Sequence, residues 1–193
     1  MNAHLKKILM LAMAVCIGLA ALPARSWALA EAGTFSIQPE FGYYGVSQKP
    51  MSSFVTFGGS AHYFVMDGLS LGAEGLAYSF YQDSHYGHHD YTANPWAFGF
   101  NALVRFYPVH TNNMGFYIGS GIGGLFSGEN IPYRSGWRDQ GETSSLTVPV
   151  DLGFVYNFTD NIGIEVAGRY QRIGFTDHGM DSWGGHASLR FSF

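Results

Sequence analysis

The sequence predicts an all-β fold, an antiparallel eight-stranded transmembrane up-and-down β-barrel, and three observations lead to this prediction. Only 12% of the 193 residues are charged, while 47% are hydrophobic, 17% are aromatic and 26 are Gly; a soluble domain carries about 25% charged residues. Apolar and polar residues alternate with period two in segments of about ten residues. The connectors between these segments are alternately short and long. Together these features are typical of strands that face a non-aqueous medium.

The N-terminal segment has the features of a cleaved secretory signal peptide. Two lysines precede the apolar run 8–22. Ala28 and Ala30 supply the small residues of a signal-peptidase site, which predicts Glu31 as the mature N-terminus. The alternative, a membrane anchor, is disfavoured because the run is shorter than the roughly 20 residues that a spanning helix needs. The expected domains are a signal peptide, 1–30, and a barrel domain, 31–193.

Removal of this segment changes the charge balance of the chain. Lys6, Lys7 and Arg25 leave with it, and the net charge moves from −4 to −7 because all 14 acidic residues remain. The mature chain therefore lacks the basic face that binding to nucleic acid requires. The single cysteine, Cys16, leaves as well, so no disulfide bond is expected.

The alternation predicts eight strands in the mature chain. In the clearest of them, the even-numbered residues from Leu146 to Phe158 are apolar and the odd-numbered residues are mainly polar or small. The segment 69–81 fits worst, since Glu74 and Leu76 have the same parity, which predicts a β-bulge there. The predicted strands are 34–46, 54–65, 69–81, 96–107, 116–127, 143–158, 162–173 and 183–193.

The connectors indicate which kind of barrel this is. The short ones alternate with longer, polar ones, as in bacterial outer-membrane barrels, which have short periplasmic turns and longer external loops. Such a barrel closes on itself because an open sheet edge in lipid leaves backbone groups unpaired. The short connectors are 66–68, 108–115 and 159–161, and the longer ones are 47–53, 82–95, 128–142 and 174–182.

Aromatic residues support the membrane interpretation over a soluble barrel or sandwich, which also alternates. A soluble fold needs polar outward positions, yet the polar face here is rich in Gly and Ser. The last strand ends in Phe191 and Phe193, and this terminus resembles the assembly signal of outer-membrane barrels. Aromatic residues at strand ends are expected to form the interfacial girdles: Trp96, Phe106, Tyr156, Phe158, Tyr170 and Trp183.

The inward face is predicted to carry a network of paired charges. An eight-stranded barrel has an interior just wide enough for side chains, which favours a filled lumen over a channel. Buried charges are costly when alone, so pairing is expected. The predicted lumen residues are Glu40, Glu74, Arg105, Asp151, Glu165, Arg169, Gln171, His186 and Arg190.

The C-terminal half resembles the outer-membrane lipid A 3-O-deacylase family, whose members are also called acyloxyacyl hydrolases. The resemblance covers about residues 115–193, and its glycine-rich strand pattern is shared with other small outer-membrane barrels. It implies the same barrel fold and raises the possibility of ester hydrolysis. The segments that carry it are 116–128, 152–156, 160–162, 169–171 and 179–183.

The chain departs from that family at the residues that carry its chemistry. The family places a His-x-Ser pair on the strand before a catalytic acid, and the Ser attacks an ester that the His activates. Here Arg172 stands in the place of the His and Gly174 in that of the Ser. Arginine stays protonated and cannot act as a base. Only Asp181 matches, as Asp for Glu, so the departure favours a non-enzymatic barrel over a divergent deacylase.

A literal His-x-Ser occurs elsewhere, at His186 and Ser188, after Asp181 instead of before it. Both side chains are predicted to point into the lumen, toward Asp151 or Glu165. A hydrogen-bonded lumen network explains them better than a triad, because buried polar groups need partners. The residual catalytic candidates are Asp181, His186 and Ser188.

Two predicted loops contain residues that could bind ligands. The first, 82–95, contains His and Asp residues that could ligate zinc or copper. A solvated loop with incidental histidines is the favoured interpretation, because metal sites need ordered ligands. Its candidates are Asp83, His85, His88, His89 and Asp90. The second, 128–142, could contact lipopolysaccharide phosphates or a partner, since Arg binds phosphate well, or could be a mobile external loop. Its candidates are Tyr133, Arg134, Trp137 and Arg138.

These observations predict an outer-membrane β-barrel with a structural or surface ligand-binding role. The expected location is the outer membrane of a Gram-negative bacterium, reached through a cleaved signal peptide. The expected partners are outer-membrane lipids, lipopolysaccharide and the barrel-assembly machinery, without nucleic acid, and the protein is expected to be a monomer. No cofactor is expected.

Overall fold

The computed structural model describes residues 29–47, 51–82, 96–127, 144–174 and 179–193, and all eight predicted strands lie within these ranges except for residue 143. No helix in these ranges is long and apolar enough to cross a membrane. The strands are β1 (Phe35–Val46), β2 (Met51–Met66), β3 (Leu69–Gln82), β4 (Trp96–His110), β5 (Met114–Ser127), β6 (Ser144–Asn157), β7 (Ile162–Ile173) and β8 (Met180–Ser192).

Each strand pairs with the next in antiparallel orientation, and β8 pairs with β1 to close the barrel. The closing pair runs from Ser36 opposite Ser192 to Val46 opposite Ser182. Beyond it, Phe35 and Phe193 exchange two backbone hydrogen bonds of 3.1 and 2.8 Å. The predicted fold class, an antiparallel eight-stranded barrel, is confirmed.

The barrel has two different ends, which we call the turn end and the loop end. At the turn end, β2 and β3 are joined by Asp67 and Gly68, and Gly68 has the positive φ of 75° that favours glycine. Thr111 and Thr159 organise the other two turns, since each hydroxyl accepts a hydrogen bond from the backbone N–H three residues later, at 3.1 and 3.0 Å. The loop end carries the connectors 47–50, 83–95, 128–143 and 174–179.

The outward face of the barrel is a band of exposed apolar side chains. On β4 the burial alternates strictly from Trp96 to Tyr107, with the even-numbered residues exposed. Leu152 on β6 is the most exposed large apolar residue described, at 66%. An apolar exterior of this kind is stable only against lipid, so the predicted orientation of the alternation is confirmed.

The interior consists of three layers. The loop-end cluster contains Tyr44, Phe54, Leu76, Tyr78, Phe80, Ala97, Leu125, Ile173 and Met180. The turn-end cluster contains Leu29, Ala30, Phe64, Tyr107, Tyr117, Val155 and Ala167. Between them lies the middle layer, which holds the buried charged side chains other than Arg190, whose guanidinium lies against Leu29 and Phe64 of the turn-end cluster. Buried polar side chains accompany both clusters, such as His62 and Ser192 toward the turn end and Ser127 and Gln171 toward the loop end, so the inward face combines polar and apolar residues along its length.

The predicted bulge in 69–81 is wrong. β3 pairs with β4 without a register shift, and Glu74, Leu76 and Tyr78 all point inward. The parity looked irregular because the strand passes from the polar middle layer into the apolar loop-end cluster. Register shifts occur instead on β2, between Met51 and Ser53 and between Phe64 and Met66, opposite the two ends of β3. Another occurs on β4 between Phe106 and Val109, around Pro108, which has no N–H to donate to its neighbour.

Several strands are longer than predicted, although the number and order of strands agree. β2 begins at Met51, β4 continues to His110, β5 begins at Met114 and β8 begins at Met180. These additional residues lie at strand ends, where backbone pairing continues after the alternation of the sequence has faded. The turn predicted at 108–115 is consequently reduced to 111–113.

Candidate functional site

Arg169 is the centre of the middle layer. Its guanidinium donates two hydrogen bonds to Glu74, at 2.6 and 3.0 Å, and two to Asp151, at 2.6 and 3.0 Å. The Glu74 carboxylate also accepts a bond of 2.8 Å from Asn101, whose carbonyl accepts one of 2.6 Å from Thr147. Bidentate pairs of this type are the strongest arrangement available to a buried arginine. The node links β3, β4, β6 and β7 across the lumen.

A second node surrounds Glu165. Its carboxylate accepts hydrogen bonds from Arg105, at 3.1 Å, and from the hydroxyl of Tyr117, at 2.6 Å. Arg105 also donates to the side-chain carbonyl of Gln38, at 3.0 Å, and its guanidinium lies 4.5 Å from the ring centre of Tyr117. His186 is the fifth member, with Nε2 3.8 Å from a Glu165 oxygen. This node joins β1, β4, β5, β7 and β8.

Two buried charges have no counter-ion among the described residues. Both carboxylate oxygens of Glu40 lack a hydrogen-bond donor there. Arg190 donates to the Ser192 hydroxyl at 3.1 Å and to the Leu29 carbonyl at 2.6 Å, but to no carboxylate in the described ranges. In these ranges, four carboxylates and three guanidiniums are buried: Glu40, Glu74, Asp151 and Glu165, and Arg105, Arg169 and Arg190.

Aromatic rings seal the middle layer on both sides. In the loop-end cluster, Phe54 packs against Tyr44 and Phe80, with ring centres 5.0 and 5.2 Å apart. The Tyr44 hydroxyl lies 3.3 Å from Nδ1 of His186, so a hydrogen bond joins this cluster to the middle layer. In the turn-end cluster, the Tyr107 ring packs against that of Phe64 at a tilt of 48°, with ring centres 5.3 Å apart. These buried side chains occupy the lumen on both sides of the middle layer.

An outward group of four side chains, which we call the outer patch, lies near the loop end. Asp181 accepts hydrogen bonds of 2.7 Å from the Tyr170 hydroxyl and 2.7 Å from the Arg172 guanidinium. The Tyr170 ring contacts that of Trp183 edge-on, with centres 5.0 Å apart. Arg172 and Asp181 are about one-third exposed, at 30% and 28%. Paired charges beside Tyr and Trp suit the polar edge of a bilayer.

The predicted lumen residues all lie inside the barrel. They form the two nodes just described, with three exceptions: Glu40 and Arg190 stand apart from them, and Gln171 donates to the Tyr78 hydroxyl at 3.2 Å. The sequence interpretation did not include the neutral partners that complete the nodes. The alternation of the sequence could have indicated them, because each has the same parity as the inward residues of its own strand and therefore lies on the same face. These partners are Gln38, Tyr44, Asn101, Tyr117 and Thr147.

The structure does not bring the three catalytic candidates together. Asp181 faces outward in the outer patch, whereas His186 and Ser188 face the lumen from the same strand. His186 is directed to Glu165 and Tyr44, and the Ser188 hydroxyl has no hydrogen-bond partner among the described residues. Residues of opposite parity on one strand lie on opposite faces of the sheet, which separates Asp181 from the other two.

Both predicted ligand-binding loops lie outside the described residues. This applies to the metal candidates Asp83, His85, His88, His89 and Asp90, and to Tyr133, Arg134, Trp137 and Arg138 of 128–142. Within the described residues, no group of three or more His, Cys, Asp or Glu is arranged to hold a metal ion.

The aromatic residues at the C-terminus take part in barrel closure. Phe191 pairs with Ile37 on β1 and with Ile162 on β7. Phe193 exchanges backbone hydrogen bonds with Phe35. The residues proposed as an assembly signal therefore lie at the seam where the first and last strands meet.

A closed barrel of eight strands with an apolar exterior and a filled interior defines a small outer-membrane β-barrel protein. The chain belongs to the family described as outer membrane protein beta-barrel domain, whose sequence model matches residues 12–191. This membership indicates that the protein resides in an outer membrane. No curated protein matches the chain at a significant level.

Solved structures of outer-membrane barrels share the fold. The outer membrane protein OprG from Pseudomonas aeruginosa superposes with a TM-score of 0.63 at 15% identity, covering 88% of this chain and 99% of OprG. Neisserial surface protein A gives 0.60 at 17% identity, covering 83% and 99%. The N-terminal barrel of Pseudomonas aeruginosa OprF gives 0.52 at 20% identity, covering 84% and 98%. These similarities extend to the fold alone.

Proposed function

We propose that this protein is a non-enzymatic barrel that anchors its four loop-end connectors at the outer surface, with a structural or ligand-binding role there. The observation that carries the proposal is the filled interior. Arg105, Arg169 and Arg190 occupy the lumen together with large aromatic side chains that close it toward both ends. An eight-stranded barrel has no room for an aqueous channel beside such side chains.

Conductance and lipid chemistry test this proposal together. The mature protein is reconstituted in a planar bilayer, and no discrete conductance steps are expected. OprG, a barrel of the same size, is measured in the same way for comparison. In parallel, lipid A is incubated with the folded protein in detergent and examined by mass spectrometry. Discrete channels, or loss of an acyl chain, would refute a structural role.

The alternative function is a divergent ester hydrolase of the lipid A deacylase type. It is supported by the outward direction of Asp181, which faces the lipid near the loop end. Against it, the carboxylate is bonded to Arg172 and Tyr170, and neither is a base at neutral pH. The lipid A experiment therefore includes Asp181→Ala and His186→Ala. Hydrolysis that disappears in either variant would favour this alternative.

The proposed route to the membrane is export through a cleaved signal peptide in a Gram-negative bacterium, followed by insertion by the barrel-assembly machinery. The proposed lipid partners are outer-membrane lipids and lipopolysaccharide, and the protein is proposed to be a monomer. The position of Phe193 at the β1–β8 seam supports a role in assembly. Phe193→Ser is expected to lower the amount of folded, heat-modifiable protein in the membrane fraction; an unchanged amount would refute this role.

A further inference from the structure

The short segment before β1 is folded into the turn end of the barrel. Leu29 and Ala30 are 1% and 0% exposed, and both belong to the turn-end cluster. They lie among Phe64, Tyr107 and Tyr117, which line the lumen below the middle layer. These two residues therefore behave as part of the barrel interior.

Backbone hydrogen bonds hold this segment in place. The N–H of Gly68, in the turn between β2 and β3, donates to the Ala30 carbonyl at 2.8 Å. Gly33 donates to the Phe64 carbonyl at 2.8 Å, and Phe64 donates to the Thr34 carbonyl at 2.9 Å. Because it is hydrogen-bonded to β2 and to the β2–β3 turn, this segment extends from β1 across the opening at the turn end of the barrel.

The segment also supplies the principal partner of a buried charge. The guanidinium of Arg190 is fully buried, and its shortest hydrogen bond, of 2.6 Å, goes to the Leu29 carbonyl. It lies over the Phe64 ring, 5.4 Å from its centre, and its other acceptor is the neutral hydroxyl of Ser192. Cleavage after Ala30 would remove the Leu29 carbonyl and leave the buried cation poorly solvated, which is unfavourable.

We propose that the mature protein retains Leu29 and Ala30, that signal peptidase cuts upstream of Leu29, and that residues 29–34 form a plug at the turn end. The proposal rests on export through a cleaved signal peptide. The sequence offers suitable upstream sites, since Ser26 and Ala28 are small residues two positions apart, as Ala24 and Ser26 are. Such pairs meet the requirement that signal peptidase places on the residues before the cut.

The N-terminus of the protein purified from outer membranes tests this directly. Intact mass spectrometry, with sequencing of the first peptide, is expected to give a chain that starts at Leu29 or at Trp27. A start at Glu31 or later would overturn the proposal. A chain that keeps its entire leader would instead contradict the export route on which the proposal rests, so the two failures are distinguishable.

A stability measurement tests the role of the plug independently of processing. Mature chains that start at Leu29 and at Glu31 are refolded into vesicles, and their urea midpoints are compared. The chain from Glu31 is expected to unfold at lower urea, and the difference is expected to shrink in an Arg190→Met background, because the shared contact is already absent. Arg172→Met is the matched control background, in which the difference between the two chains is expected to persist, since this outward arginine does not contact the segment. Equal midpoints would refute the plug.

Discussion

Two buried arginines of the lumen, Arg169 and Arg190, are neutralised in different ways. Arg169 makes four hydrogen bonds to two carboxylates that lie on other strands of the barrel. Arg190 has no carboxylate partner among the described residues and is bonded to the Leu29 carbonyl and the Ser192 hydroxyl. Both side chains are fully buried, so the contrast is one of partners and not of exposure.

The contrast shows that two parts of the chain stabilise the interior. In the middle layer, strands that are distant in sequence supply complementary charges, and the layer is complete once the barrel has closed. At the turn end, the residues before β1 supply backbone carbonyls and apolar side chains. The middle layer is therefore expected to depend on charge, and the turn end on the integrity of the N-terminal segment.

Arg169→Met is expected to have the largest effect. It leaves Glu74 and Asp151 buried without their cation, and removal of one partner from a buried ion pair costs about 3–5 kcal/mol. Urea unfolding in vesicles measures the loss. The matched control is Arg172→Met, which removes an outward pair worth at most about 1 kcal/mol. Equal losses for the two variants would contradict the assigned importance of the middle layer.

Leu152→Arg tests whether charge is tolerated only on the inner face. Asp151 and Leu152 are neighbours on β6, and Asp151 faces Arg169 while Leu152 faces outward. An arginine on the lipid face near mid-depth costs about 2–4 kcal/mol. The measurement is the same vesicle titration, and an unchanged midpoint would reverse the assignment of the two faces.

Arg190→Met is expected to cost less than Arg169→Met. It leaves no carboxylate unpaired among the described residues. The hydrogen bonds that it removes, worth about 1.5–3 kcal/mol each, are partly offset because a buried cation without a counter-ion is removed as well. Methionine retains much of the packing volume in the turn-end cluster. A loss equal to that of Arg169→Met would mean that Arg190 has an ionic partner.

Glu40→Gln is expected to have the smallest effect. The Glu40 carboxylate accepts no hydrogen bond from the described residues, so an amide of the same shape removes a buried charge without breaking a bond, and stability is expected to stay unchanged or to rise. Glu74→Gln is the matched control, since Glu74 accepts three bonds from Arg169 and Asn101. A large loss in Glu40→Gln alone would show that Glu40 has a partner.

Much of the barrel could be predicted from the sequence because its main signal is local. Alternation with period two reports directly which face of a strand each residue occupies, as it does for Leu152 and for the outward residues of β4. The same rule misled at Glu74 and Leu76, where the lumen itself changes from polar to apolar. Strand ends were placed less well because pairing continues where alternation has faded, as at His110.

The candidate site depended on information that the alternation does not contain. Parity assigned Arg169 and Arg190 to the same interior, but it did not indicate that one meets two carboxylates and the other a backbone carbonyl. Asp181 and Arg172 were singled out by family resemblance, and their mutual hydrogen bond follows from the β7–β8 register, in which they are paired.

The fold class, the membrane environment and the face on which most side chains lie could be read from the sequence, because they follow from composition and from a two-residue period. Tertiary structure decided which charges meet across the lumen, since that depends on the register of all eight strands after closure. It also decided that Leu29 and Ala30 pack inside the barrel, because their partners, Phe64 on β2, Gly68 in the following turn and Arg190 on β8, are brought together only by the closed barrel.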